Sequence, residues 1–178
     1  GLDVAMSVRD ATGTRGAATV WTDVLPLAGN RTALVAGEVG VPGERGRELG
    51  RSLQQSVRAL AAVDLPPDVL LRHLSDLVRG LEPGVVVTCV YAVHDAAAGC
   101  VAVANAGHAP PLVVVPDADD RYRTLGQAIG APLGLGARGV RADDVQLTKG
   151  AVLVLAAGTL VEGDRLSVLG EQAAAAAA

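Results

Sequence analysis

Two amphipathic helical segments stand back to back in the middle of a chain whose other apolar runs alternate like strands. That order constrains the fold more than any other feature. From about Glu44 to Val63, Leu49, Leu53, Val57, Leu60 and Ala61 recur at helical spacing after the breaker cluster Gly40-Val41-Pro42-Gly43. A second helix is expected from about Pro66 to Leu81, with Asp64 and Pro66-Pro67 as its start signal and Gly80 near its stop. Val69, Leu70, Leu74, Leu77, Val78 and Leu81 form its apolar face. Ahead of the helices, Thr19–Leu27 and Arg31–Val39 read as strands joined by a hairpin at Ala28-Gly29-Asn30. An edge strand is expected at Gly1–Val8, running into a turn at Ala11–Gly16. Behind the helices the strand candidates are Val85–His94, Gly99–Asn105, Pro111–Val115, Arg121–Thr124, Asp144–Thr148, Ala151–Ala156 and Arg165–Val168. Lys149-Gly150 reads as a tight hairpin turn. Strands, two helices, then strands predict an α+β fold, not the regular alternation of a parallel α/β domain.

A chain of 178 residues, half of them hydrophobic, holds enough apolar material for one domain with a real core. It is too apolar for a disordered tail. The formal charge of −4 argues against a general nucleic-acid binder. Trp21, Tyr91 and Tyr122 are the aromatic residues, so base-stacking platforms are lacking and the core must be Val, Leu and Ala. The longest apolar stretch, near Ala151–Val161, is about half of the roughly 20 residues a membrane span needs. Gly1-Leu2-Asp3 opens without a basic, apolar leader pattern, so a cytoplasmic location and no membrane contact are expected. Cys89 and Cys100 fall on consecutive strand candidates. A hairpin with His94 opposite Gly99 would set their sulfurs roughly 13 Å apart, too far for a disulfide. Two free thiols fit a reducing compartment.

Most motif matches fail on context. Gly134-Leu135-Gly136-Ala137-Arg138-Gly139 has dinucleotide-loop spacing, but Pro132 precedes it and a polar strand follows, so it reads as a loop. Asn30-Arg31-Thr32 matches a glycosylation pattern inside a hairpin turn. His94 and His108 are isolated in sequence, nothing sets up a metal triad, and His73 reads as a surface histidine. Asn105-Ala106-Gly107-His108-Ala109-Pro110-Pro111 reads as a structured turn with a histidine at its tip; the functional reading of His108 is a catalytic group, the more common one a turn histidine bonded to backbone. Arg45, Arg47, Arg51 and Arg58 stripe the first helix. Such a stripe is ordinarily a solvated face; its functional reading is a docking surface for an acidic partner.

Five segments together resemble the bacterial PP2C-like (PPM) phosphatase domains of the SpoIIE/RsbU type. Trp21–Leu27 is similar to the family's G-G-D-W-Y-D-V stretch, and Ala33–Gly43 (ALVAGEVGVPG) to its GDVSGHG strand and loop. Thr88-Cys89-Val90-Tyr91 resembles its A-T-x-x-Y strand. Asn105–Pro111 follows its N-A-G-H-x-P-P turn, and Gly130–Gly134 its G-x-P-L-G. The resemblance covers about Gly1 to Leu169. It implies a β-sandwich of two antiparallel sheets flanked by helices, over residues 1–172, followed by a low-complexity alanine tail at 173–178.

The resemblance also implies hydrolysis of phosphoserine or phosphothreonine by two Mn²⁺ or Mg²⁺ ions, held mainly by four aspartates. Here the first falls on Val20, the second (after Gly37) on Glu38 and the third on Gly158. The fourth would lie in a closing strand, beyond Gly170-Glu171-Gln172. Pro42 replaces the loop histidine, and Asp23, a supporting residue in the family, is kept. Glu38 is a weak metal candidate on its own, so no cofactor is expected and no catalytic set is intact. A pseudophosphatase is expected: a regulatory module that binds a protein, by analogy an anti-sigma antagonist or an attached sensor domain in sigma-factor partner switching. The cleft at Val20, Glu38 and Gly158, or the Arg45, Arg47 and Arg51 surface, would be its contact. A homodimer is compatible with this. The alternative is an active, divergent phosphatase with ligands recruited from residues such as Asp23, Glu38, Glu162 and Asp164.

Overall fold

The computed structural model describes residues 18–81, 84–115, 122–125, 129–135 and 139–158. The strands expected at Gly1–Val8 and Arg165–Val168, the alanine tail, Glu162 and Asp164 lie outside them. The described chain runs β1 (Thr19–Leu27), β2 (Arg31–Val39), α1 (Gly43–Ala62), α2 (Pro67–Leu81), β3 (Val87–Asp95), β4 (Cys100–Ala106), β5 (Leu112–Val114), β6 (Tyr122–Thr124), β7 (Ile129–Gly130), β8 (Ala142–Gln146) and β9 (Val152–Val154). Among the described residues no helix is long and apolar enough to cross a membrane.

The strands form two sheets. The larger runs β1-β2-β3-β4, and β4 then shares its far edge between antiparallel β8 and a short parallel pairing with β7. The smaller runs β6-β5-β9, all antiparallel. Side-chain alternation along the large sheet builds two cores. On β3, Cys89 and Tyr91 point toward α1 and α2 and join Leu53, Val57, Leu70 and Leu74. Val90 and Ala92 point the other way, and with Val101, Val103 and Val113 they fill the gap between the sheets. The expected α+β sandwich with helices packed outside is the observed architecture.

The helices begin and end within one residue of their expected bounds, because a 3.6-residue apolar period is read from many positions at once. The β3–β4 hairpin differs from expectation. Asp95 faces Cys100 and Cys89 faces Ala106, a shift of two residues. The cause is the turn: Asp95 Oδ1 accepts the amides of Ala97 and Ala98, and Gly99 N–H returns to the Asp95 carbonyl. The shift moves the sulfurs farther apart, and both cysteines are free. Burial pushes the Cys89 thiol up, so it stays protonated.

Lys149-Gly150 is a turn, but not a hairpin. It carries the chain from β8 in the large sheet to β9 in the small one. β8 itself lies two residues earlier than expected, and β7 is a strand the sequence pattern did not announce.

Candidate functional site

The Asn105–Pro111 turn is built by its own side chains. Asn105 Oδ1 accepts the His108 amide at 2.8 Å, and Asn105 Nδ2 donates to the His108 carbonyl at 2.9 Å. Gly107 adopts φ +68°, and a Cβ there would lie 2.7 Å from Pro132 of the Gly130–Gly134 segment. These two motifs therefore interlock, and each explains the other's unusual residue. The turn aims the His108 ring, only 3% exposed, into the protein. Nδ1 lies 2.8 Å from Thr88 Oγ1 and Nε2 lies 3.1 Å from the Ala156 carbonyl. Burial, above all, holds the His108 pKa below the usual histidine value. The expected backbone-bonded turn histidine is what the structure contains.

Val20, Glu38 and Gly158 come together. Val20 and Glu38 are direct cross-strand partners on β1 and β2. Glu38 Oε1 accepts the Gly158 amide at 2.6 Å, across 120 residues of sequence. A Cβ on Gly158 would sit 3.1 Å from Val20 Cγ2. The neighbouring Gly37 is required by packing, since a Cβ there would lie 2.5 Å from the buried Trp21 indole.

Asp23 points to the opposite face of β1 and is 7% exposed. Arg58 of α1 grips it through Nε (2.6 Å) and Nη2 (3.0 Å), and this carboxylate raises the Arg58 pKa. Asp23 Oδ1 also accepts the Val24 amide at 3.0 Å. β1 is the outer strand of the described sheet, and its outward groups are partly closed. Gln54 Nε2 donates to the Thr22 carbonyl at 3.1 Å, and Pro26 has no N–H to offer. Sequence reasoning singled out Asp23 but missed Arg58 as its partner and Gln54 as a cap. No local pattern marks either contact.

Arg45, Arg47 and Arg51 are exposed on α1. Arg47 and Arg51 both converge on Glu44, at 2.7 and 3.1 Å, and hold its carboxyl below the usual range. A groove of about 210 Å³ runs between β1 and α1, lined by Val20, Thr22, Arg47, Arg51 and Gln54 among others. The two candidate surfaces, the Val20 cluster and the arginine stripe, thus adjoin. Pro42 sits just before α1 and supplies no side-chain cap.

Comparison with known proteins decides the family. The sequence profile described as Stage II sporulation protein E (SpoIIE) matches residues 29–177. The chain belongs to the SpoIIE family. A direct search of curated proteins finds no match. Among solved structures, the RsbU and RsbW domains of Rv1364c from Mycobacterium tuberculosis align with TM-score 0.75 and 23% identity, over 94% of this chain and 48% of that one. The PP2C phosphatase domain of SpoIIE from Bacillus subtilis, with a fragment of its regulatory domain, aligns with TM-score 0.64 and 12% identity, over 75% and 39%. RsbX in complex with magnesium aligns with TM-score 0.59 and 9% identity, over 80% and 65%. The chain spans about half or less of the length of the first two, and at these identities they show the fold.

Within the SpoIIE fold, the donor set at the Val20 cluster does not suit divalent ions. Hard cations need several convergent oxygens, mostly carboxylates. Val20 and Gly158 carry no side-chain oxygen, and the Glu38 carboxylate is engaged by a main-chain amide. Among the described residues, no group of three His, Cys, Asp or Glu side chains is placed to hold a metal.

Proposed function

We propose that this SpoIIE-family domain is a pseudophosphatase, a catalytically inactive PP2C-like fold that acts as a protein-binding regulatory module in sigma-factor partner switching. The observation that carries it is the Val20–Glu38–Gly158 cluster, where the elements meet as an active site would require and the only carboxylate is bonded to the protein itself. Fold and activity are separable, and here the chemistry of the site argues against turnover. The partner is a protein: an anti-sigma antagonist or an attached sensor domain, reached in the cytoplasm. The match to a chain holding RsbU and RsbW domains together supports a module that works beside other domains. The groove beside Val20, with Arg47 and Arg51 on one wall, offers a contact for acidic side chains. The test is hydrolysis of a phosphoserine peptide at millimolar Mn²⁺ or Mg²⁺. The expected result is release of phosphate no faster than without protein. Metal-dependent turnover that disappears in Glu38→Ala would overturn the proposal.

A further inference from the structure

Glu38 of β2 and His108 of the turn after β4 reach one short backbone segment, the residues that follow β9. Beyond Val154 the ladder between β9 and β5 ends. Four residues later the Gly158 amide is held by Glu38 Oε1 at 2.6 Å, and between them the Ala156 carbonyl lies 3.1 Å from His108 Nε2. A carbonyl can only accept, so Nε2 carries the proton. In the neutral ring Nδ1 is then bare, and it accepts from the Thr88 hydroxyl 2.8 Å away. Thr88, in turn, is the register partner of Glu38 on the adjacent strand. Glu38 and the Thr88–His108 pair therefore start from neighbouring strand positions and meet the same segment after β9 at two separate points.

We infer that Glu38 and the Thr88–His108 pair form a two-point latch that ties the Ala156–Gly158 backbone to the large sheet, so that a protein carboxylate provides the link between layers at this end of the sandwich. This rests on the reading above in one respect: Glu38 is available as an acceptor because it binds no ion. Asn105 sets the latch by closing the turn that carries His108, and Val20 forms the apolar floor beneath Gly158. Glu38 is then a positioning residue, and the latch draws on Thr88, Asn105 and His108 together.

Amide hydrogen exchange measured by NMR on the full chain tests this. In Glu38→Ala, exchange at Gly158 is expected to accelerate by about tenfold or more relative to Val90 and Val103 at the sheet centre, as loss of a charge-assisted acceptor implies. Glu38→Gln retains an acceptor oxygen and is expected to stay within about threefold of wild type. Glu38→Asp keeps the charge but withdraws the acceptor by one methylene, and it decides the matter if Glu38→Ala loses the protection of Val90 and Val103. Adding Mg²⁺ to wild type is expected to leave Gly158 unchanged. Equal Gly158 exchange in wild type, Glu38→Ala and Glu38→Asp would overturn the latch, as would wild-type protection that exists only with Mg²⁺. Phosphatase turnover with Gly158 still protected by Glu38 alone would instead overturn the inactive reading and leave the latch standing.

Discussion

Three donors converge on the Asp23 carboxylate: Nε and Nη2 of Arg58, and the Val24 amide. Asp23 is buried while Arg58 is largely exposed, so solvent weakens the ion pair and rehydrates the guanidinium once Asp23 is gone. Asp23→Ala is expected to lower the urea midpoint modestly, and Asp23→Asn by less. His108 gives a pH signature. Its folded pKa lies below the ordinary value because burial penalises the charged ring, so the unfolded chain binds the proton more readily. Its contribution to stability is complete above about pH 6.5 and is lost as pH falls through the lower folded value. Between about pH 7.5 and about pH 5.5 the melting temperature of wild type should therefore fall more than that of His108→Gln; equal falls would contradict this. At this scale the motifs were legible and their wiring was not. Glu38 and Gly158 could each be matched to a family position, but a hydrogen bond across 120 residues leaves no local pattern. The Asp95 turn is different: an aspartate opening a loop that ends in glycine was a readable signal for the β3–β4 register.

The bounds of the helices were legible in the sequence, but the apolar face of α2 was not fully so: Leu77 and Leu81, expected on it, are exposed, and Leu71, left out of it, is buried. α2 presents Leu70, Leu71, Leu74 and Val78 to the core, while Leu77, on its outer side, is 41% exposed. Leu74→Ala is expected to cost about 2–5 kcal/mol by removing buried methyls and leaving a cavity. Leu77→Ala should cost within roughly 1 kcal/mol, because its site is half open to water. Chemical denaturation of the two variants measures the contrast directly. Short strands were less legible for a physical reason. β7 has two residues, too few for any alternation to show, and it is fixed by pairing with Asn105 and Ala106. β8 has exposed Asp and Gln positions, and tertiary pairing with β4 sets its bounds more than its own composition does.

For the whole molecule, the order of elements was enough to give the architecture, and the resemblance gave the sandwich. What the order could not give was which sheet each late strand joins. Lys149-Gly150 has the chemistry of a hairpin turn, yet it hands the chain from one sheet to the other. That passage leads through β9 to Gly158, which meets Val20 and Glu38. There a valine methyl, a carboxylate engaged by a main-chain amide and a glycine meet. The central claim is that this end of the sandwich holds itself together without an ion. Calorimetric titration of Mn²⁺ into the purified chain tests it most directly. The account predicts only the heat of dilution up to millimolar metal. Saturable binding tighter than about 1 mM, lost in Glu38→Ala, would contradict it.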